Sequence, residues 1–420
     1  MDKFTETSYT SYGQNIGNSF KGILLGLLFL IASIVLLWWN EGRSVDQANA
    51  LEEMQAKITT LHSAVYDPSV DGKAVLVQGE VKPRDVVMDT QFEVKTDGLV
   101  LQRKVEMYQW KESSHSESKE KLGGGTETVT TYEYHKTWSA SPISSGSFRH
   151  RAEHENPPMN YRSATFSTEA QMGDFYLDKG MVDRIPANYA YDGLAQMPEK
   201  IGMVKNYKTF LYIGDEPSSP AIGDVKITYY YAPSGMYTYA AKESGKALVP
   251  YISKNGRQLV FVRSGKVEAQ TIFKEEFENN TMITWVLRIV GLSVMFVAFS
   301  MIMGPLQAFA KVIPILGSLA GGVTGIVAAI LTLVLGSFVI ALAWFSSRPI
   351  LSLSIIGTAI GIALLLGKFG KKKTLSAETR NASSPPSPSS PPPRGTPVPP
   401  ERKNEKEASI SQPPSRNKEA

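Results

Sequence analysis

Apolar residues in this chain are bunched into runs, and those runs constrain the fold more than any other feature. Residues 22–39 carry no charge, end in Trp38-Trp39, and are followed at once by Asn40-Glu41-Gly42-Arg43. A helix rising about 1.5 Å per residue needs roughly 20 apolar residues to cross a hydrocarbon core of about 30 Å. With Trp38 and Trp39 in the headgroup belt, where amphipathic indoles settle, this run is long enough. A cleaved signal peptide fits less well, because its core is about 7–15 residues and small residues flank its cut. Here the run is longer, only Lys21 flanks it closely, and a bulky Trp pair occupies the far end.

Three more runs follow late in the chain. Residues 283–303 are interrupted only by Arg288, residues 323–345 are uninterrupted, and residues 350–367 are shorter. Residues 346–349 are too few for anything but a tight reversal, so the last two helices should form an antiparallel hairpin. The sequence therefore predicts an α+β membrane protein with four transmembrane helices, one N-terminal (22–39) and three C-terminal (283–303, 323–345, 350–367). A large β-rich extracytoplasmic domain lies between the first and second.

The remaining segments fill in that plan. Residues 1–21 read as a short cytoplasmic N-terminus. In the connector 40–72, Val45, Ala48, Leu51, Met54, Ile58 and Leu61 recur at spacings of three and four, the period of an amphipathic helix. From 73 to 282 the chain reads as short strands rich in β-branched and aromatic residues, with Asp97-Gly98 and Asn255-Gly256 as turn signals. Residues 113–128, polar and Gly-rich, read as an exposed loop. Pro305, Pro314 and several glycines predict an interfacial or re-entrant segment over 304–322. Gly321, Gly322, Gly325 and Gly336 offer small surfaces for close helix contact. Residues 368–420 are basic and then proline-rich, too poor in apolar surface to repay ordering, and read as a disordered cytoplasmic tail. Four spans place both termini on one side, and the cluster Lys368, Lys371, Lys372 and Lys373 marks that side as cytoplasmic.

Signals for chemistry are sparse. The chain contains no cysteine, which excludes disulfides, thiol catalysis and Cys-ligated metals. Its formal net charge of +4 is too mild to suggest nucleic-acid binding. No H-E-x-x-H, G-x-S-x-G or G-x-x-x-x-G-K-[ST] pattern occurs. Ser116-x-x-Lys119 lies in low-complexity sequence without companion motifs. His150 and His154 have the i,i+4 spacing of two helical metal ligands, but Pro157-Pro158 opposes a helix there and no third ligand is evident. The sequence thus predicts neither an enzyme nor a cofactor or metal site. His154, Asn156 and Pro157 read as a hydrogen-bonded turn or a partner-binding patch. Core packing accounts for most of the aromatics Tyr108, Trp110, Tyr132, Tyr134, Trp138 and Tyr229–Tyr231, with a partner-binding face as the sharper alternative.

Arg288 is the one charge inside a span. A guanidinium at that depth either snorkels to the surface or meets a buried partner, and Glu41 stands at the same surface. The expectation is a Glu41–Arg288 ion pair fixing the first helix against the C-terminal block. Trp38, Trp39, Arg43 and Trp285 are expected as membrane-surface anchors, Arg43 meeting lipid phosphates or Glu275, Glu276 or Glu278.

Several stretches in order resemble the transmembrane protein 43 (LUMA) family. They are "NEGR" at 40–43, "VEMYQW" at 105–110, Trp138, "HENP" at 154–157, "GD" at 223–224, "LVP" at 248–250 and "TWVLRIVGLSVMF" at 284–296. The resemblance implies one N-terminal span, a large non-cytoplasmic domain and a C-terminal membrane block. It also implies residence in the endoplasmic reticulum and inner nuclear membrane for a eukaryotic chain, with emerin and lamins as partners. The long proline-rich tail departs from the family, and the absence of cysteine is compatible with a bacterial relative in an inner membrane, where emerin and lamins have no meaning. The family supplies no catalytic residues to carry over. The function expected is a non-enzymatic scaffold organising other membrane proteins, with self-association as one form. The alternatives are a membrane-embedded enzyme of lipid or envelope metabolism and a channel or transporter subunit.

Overall fold

The computed structural model describes residues 2–61, 63–310, 314–347 and 353. Its helices are α1 (Tyr12–Lys57), α2 (Ala269–Ile302), α3 (Gly304–Ala310) and α4 (Pro314–Ser347), besides a single turn at Lys179–Val182. Three helices among the described residues are long and apolar enough to cross a membrane: α1, α2, and Gly321–Phe345 within α4. The protein thus has one N-terminal and two C-terminal candidate spans around a β-rich region. The expected fourth span, apart from residue 353, and the basic tail with Lys368 and Lys371–Lys373 lie outside the described residues.

The three long helices share a core of Leu37, Met295 and Val339, with Leu30, Ile34, Leu292 and Leu335 around it. Their other faces, including Leu24, Leu28, Ile31, Ile289, Val290, Val334 and Phe338, are exposed hydrocarbon of the kind a bilayer covers. Gly26 faces the Ala298 carbonyl, Gly291 faces Leu37 and Gly336 faces Leu292, each too closely for an added methyl. Gly321, Gly322 and Gly325 meet nothing within 4 Å among the described residues, so of the four glycines singled out only Gly336 makes a close contact there.

The spans continue as helix well beyond the apolar runs. α1 starts on a capping box, where Gln14 N–H donates to Ser11 Oγ and Ser11 N–H donates to Gln14 Oε1. It then runs 46 residues, about 69 Å at the helical rise, so the connector expected over 40–72 is helical only to Lys57. α2 begins at Ala269, inside the region assigned to strands. Within the interfacial or re-entrant segment expected over 304–322, the described residues are helical, as α3 and the first turns of α4.

The β region has two bodies. In the first, Ala74–Pro83 (β2), Ala170–Met172, Phe175–Leu177, Ala247–Val249 and Gly235–Ser244 (β6) pair in a closed ring, β6 returning to β2. Closure removes sheet edges. The alternation of β2 sends Val75, Val77 and Val81 into the barrel core with Tyr237, Tyr239, Phe175 and Leu248. Ala74 and Leu76 point outward, onto Leu51 and Met54 of α1 and Ile272 and Phe273 of α2. The extended helices are therefore cemented to the outside of the barrel.

In the second body, Asp2–Thr10 (β1), Thr126–Ser139 (β4), Val100–Glu120 (β3) and Val225–Ala232 (β5) lie side by side in an antiparallel sheet that continues through Leu211–Ile213, Val204–Asn206 and Lys200–Ile201. Leu101, Val105, Met107, Ile227 and Tyr229 fill its core. The exposed loop expected over 113–128 is instead the far end of a β3–β4 hairpin, with register to Glu120↔Thr126. Alternating Ser/Thr with charged residues lets both faces stay hydrated, so no hydrophobic period marks these strands. Nor is 1–21 a bare tail: β1 pairs with β4 from Asp2↔Tyr134 to Thr10↔Thr126. The ribbon ends beside the start of α1, where Asn15 Nδ2 donates to Gly124 O at 2.9 Å. Asn15 lies 24 positions before Trp39, about 36 Å along the helix, so the ribbon runs past the level of the apolar band.

Candidate functional site at the membrane boundary

The site is assembled where α1 leaves its apolar run. Glu41 follows that run by two residues and points into the helix pair, its side chain 2% exposed. Arg288 of α2 donates to it twice, Nε to Oε1 at 2.6 Å and Nη2 to Oε2 at 2.7 Å. The planar fork of a guanidinium matches a carboxylate in this bidentate way, which fixes orientation as well as charge. Trp344 of α4 adds a third donor, Nε1 to Glu41 Oε2 at 2.5 Å. The Arg288 guanidinium also lies 4.9 Å from the Trp285 ring centroid and 5.9 Å from that of Trp344. One carboxylate thus ties three helices, with indoles shielding the cation. A cavity of 180 Å³ opens beside it, lined by Ser44, Asn280, Thr281, Glu41, Arg288 and Trp344.

A second layer lies one turn further along. Asn40 Nδ2 donates to the Thr284 carbonyl at 3.0 Å. Arg43 donates to Asn280 Oδ1 at 3.0 Å and to Thr284 Oγ1 at 2.9 Å. Asn280 Nδ2 donates in return to the Ser44 carbonyl at 2.9 Å. Arg43 is therefore turned into the helix pair rather than out to lipid, and it does not reach Glu275 or Glu276. Those two carboxylates accept from Arg263 at 2.9 and 2.8 Å. The helical register explains the correction, since Arg43 lies three residues after the buried Asn40 and faces the same neighbour. Trp38, Trp39 and Trp285 are exposed on the outer faces of the helices, positions suited to surface anchors.

The boundary node is coupled to the barrel through α1 and α2, which both continue past it. Beyond Arg43, the short hairpin of Tyr251–Ile252 (β7) and Gln258–Leu259 (β8) grips α1. Asn255 Nδ2 donates to the Asp46 carbonyl at 2.7 Å, Lys254 N–H to Glu53 Oε2 at 2.9 Å, and Tyr251 OH to Glu53 Oε1 at 3.0 Å. Gly256 has φ +80°, the left-handed conformation the Asn-Gly step predicts.

The His154 turn is built inward. His154 is buried and stacked on Tyr134 with ring centroids 3.8 Å apart, and its ring nitrogens face His150 O and Asp2 Oδ2 at 2.8 and 3.2 Å. Asn156 Nδ2 donates to the carbonyls of Trp110 and Ile143, and its Oδ1 accepts from Trp110 N–H at 2.7 Å. Pro157 packs against Gly223, whose φ is +96°. These contacts hold the root of the ribbon and engage the side-chain polar atoms of His154 and Asn156. A second buried pair went unread in the sequence. Arg103 Nη1 donates to Asp89 at 2.7 and 2.9 Å, and Tyr229 OH donates to the same carboxylate at 2.6 Å.

Compared with known proteins, residues 107–349 match the family model described as Transmembrane protein 43. The chain is 28% identical to Transmembrane protein 43 of Rattus norvegicus over 314 residues, which cover 71% of this chain and 78% of the rat protein. Against the Homo sapiens protein of that name, identity is 26% over 373 residues, 85% of this chain and 92% of the human one. The Drosophila melanogaster homolog is 26% identical over 344 residues, 78% of this chain and 89% of the fly protein. These relatives are animal proteins and lend no support to a bacterial origin. No solved structure matches the chain.

Proposed function

The chain belongs to the transmembrane protein 43 family, and from that membership and the boundary node we propose that it is a non-enzymatic membrane scaffold. In this reading Glu41, Arg288 and Trp344 lock three spans at the surface where the β region begins. α1 transmits that fixed orientation to the barrel, which holds its outer surfaces for other membrane proteins or a second copy. The observation that carries the reading is the use of the intramembrane charge: Arg288 is consumed by a bidentate pair and two indoles, a structural deployment.

The finer topology belongs to the same proposal. Four spans, both termini cytoplasmic and the barrel on the opposite side follow from the apolar runs and the lysine cluster. Residence in the endoplasmic reticulum and inner nuclear membrane, and association with emerin and lamins, come to this chain only through the family. The test is native-state size. Solubilised from its own membrane in mild detergent, the full chain should migrate as a defined assembly larger than one copy. A monomer in every mild detergent, or a purified chain that turns over lipid, contradicts the scaffold.

A further inference from the structure

Far from the membrane node, the loop before β2 reads Asp67-Pro68-Ser69-Val70-Asp71-Gly72-Lys73. Oxygen-bearing side chains at the first, third and fifth positions, glycine at the sixth and a backbone carbonyl at the seventh is the ligand order of Ca²⁺ loops. The conformation suits that order. Gly72 has φ +78°, giving the sharp turn that the sixth position requires. Asp67 Oδ1 accepts from Ser69 N–H at 2.9 Å, folding the loop's first half over a 3₁₀ turn.

Such loops need a further carboxylate, ordinarily at the twelfth position. Here that position is Gln78, whose amide is spent on the Val267 carbonyl. The carboxylate comes instead from the neighbouring strand. β6 pairs with β2 so that Glu243 N–H donates to Lys73 O at 3.0 Å and Gly72 N–H donates to Glu243 O at 2.9 Å. The Glu243 side chain is fully buried, and neither of its carboxylate oxygens has a hydrogen-bond partner. Its backbone pairing with Gly72 and Lys73 sets Glu243 beside the loop. A buried carboxylate with no partner is costly unless something neutralises it.

We propose that Asp67, Ser69, Asp71, the Lys73 carbonyl and Glu243 form a Ca²⁺ site on the barrel. Among the described residues no three acidic, His or Cys side chains are already gathered closely enough to hold a metal. The site is thus an open loop that the cation closes. Lys73 Nζ, which donates to the Ser69 carbonyl at 2.9 Å, holds the loop without it. These five groups, with Glu243 bidentate, supply six oxygens, and a flexible oxygen set of this kind favours Ca²⁺ over Mg²⁺, which demands a smaller octahedron.

The test uses the full chain in detergent after chelator treatment. Titration with CaCl₂ should show one saturable site per chain with a midpoint of roughly 0.1–1 mM, the range of extracellular modules. MgCl₂ should bind at least about tenfold more weakly, and Tb³⁺ should show tyrosine-sensitised emission that Ca²⁺ displaces. Asp71→Asn and Glu243→Gln should each weaken Ca²⁺ binding by about tenfold or more. Glu243→Gln should at the same time leave the Ca²⁺-free thermal midpoint at or above that of the wild type, which separates lost binding from lost folding. Absence of saturable binding up to about 10 mM overturns the site, as does unchanged affinity in either variant.

Discussion

Gly291 of α2 faces Leu37 of α1 so closely that a methyl on Gly291 would stand 2.6 Å from Leu37 Cδ2. Leu37 is fully buried and belongs to the shared core of the spans, so it has little room to retreat. Gly291→Leu should therefore force the helices apart and destabilise the detergent-solubilised protein by about 1–3 kcal/mol, the usual cost of overpacking. Combining it with Leu37→Ala should recover part of that loss. A thermal midpoint unchanged by Gly291→Leu would mean the two helices do not touch there.

In the barrel's neighbouring sheet, the Asp89–Arg103 pair is as enclosed as the membrane node. Asp89→Ala leaves Arg103 and the Tyr229 hydroxyl without their shared acceptor. Breaking a buried pair from one side costs about 3–5 kcal/mol. Chemical denaturation should show that loss, whereas Glu80→Ala, which removes an exposed pair with Lys82, should cost about 0–1 kcal/mol.

The N-terminal strand should come loose in acid. Arg149 Nε donates to both carboxylate oxygens of Glu6, at 2.7 and 2.9 Å, and holds the Glu6 carboxyl below its ordinary range. A depressed carboxyl contributes stability above its unfolded pKa and loses it as pH falls through the folded value. Amide protection of β1 should accordingly be constant from neutral pH down to about pH 4.5 and fall below it. Glu6→Gln should show the weaker protection throughout and no such fall.

The same strand offers a test of the membrane arrangement. The far end of the ribbon, where Ser113–Glu120 pairs with the start of β4, has no apolar face on β3, and lipid cannot satisfy an open sheet edge at that depth. With α1 inserted, the β1–β4 ladder should open. Glu6 and Thr130 are cross-strand partners, and the chain has no cysteine of its own. Cysteines at both positions should form a disulfide in detergent and fail to do so in liposomes. Equal cross-linking in both would place the N-terminus and the barrel on one side of the membrane.

Much of this architecture could be read from residue patterns, and the rest had physical reasons to stay hidden. Glu41 and Arg288 were legible because each is a charge at or inside an apolar run, where a partner is needed. Trp344 was not, since an indole within a span has many ordinary uses. Barrel closure rests on strands of three residues, such as Ala170–Met172 and Phe175–Leu177, too short to show a period of two. The long hairpin was read as a loop because Ser113 to Glu120 carries no apolar face at all. Asp89 precedes a turn, where an aspartate usually serves the local backbone, so its distant partners Arg103 and Tyr229 left no local signal.

The central claim is that the Glu41–Arg288 contact fixes the first span against the C-terminal helices. A double-mutant cycle on Glu41→Gln and Arg288→Gln, read by unfolding of the full chain in detergent, measures it most directly. Each single change strands one buried charge and should cost about 3–5 kcal/mol. The double mutant should be less impaired than the sum of the two, by about 2 kcal/mol or more. Effects that add within about 0.5 kcal/mol would show that the two side chains act independently and that the node does not hold the helices together.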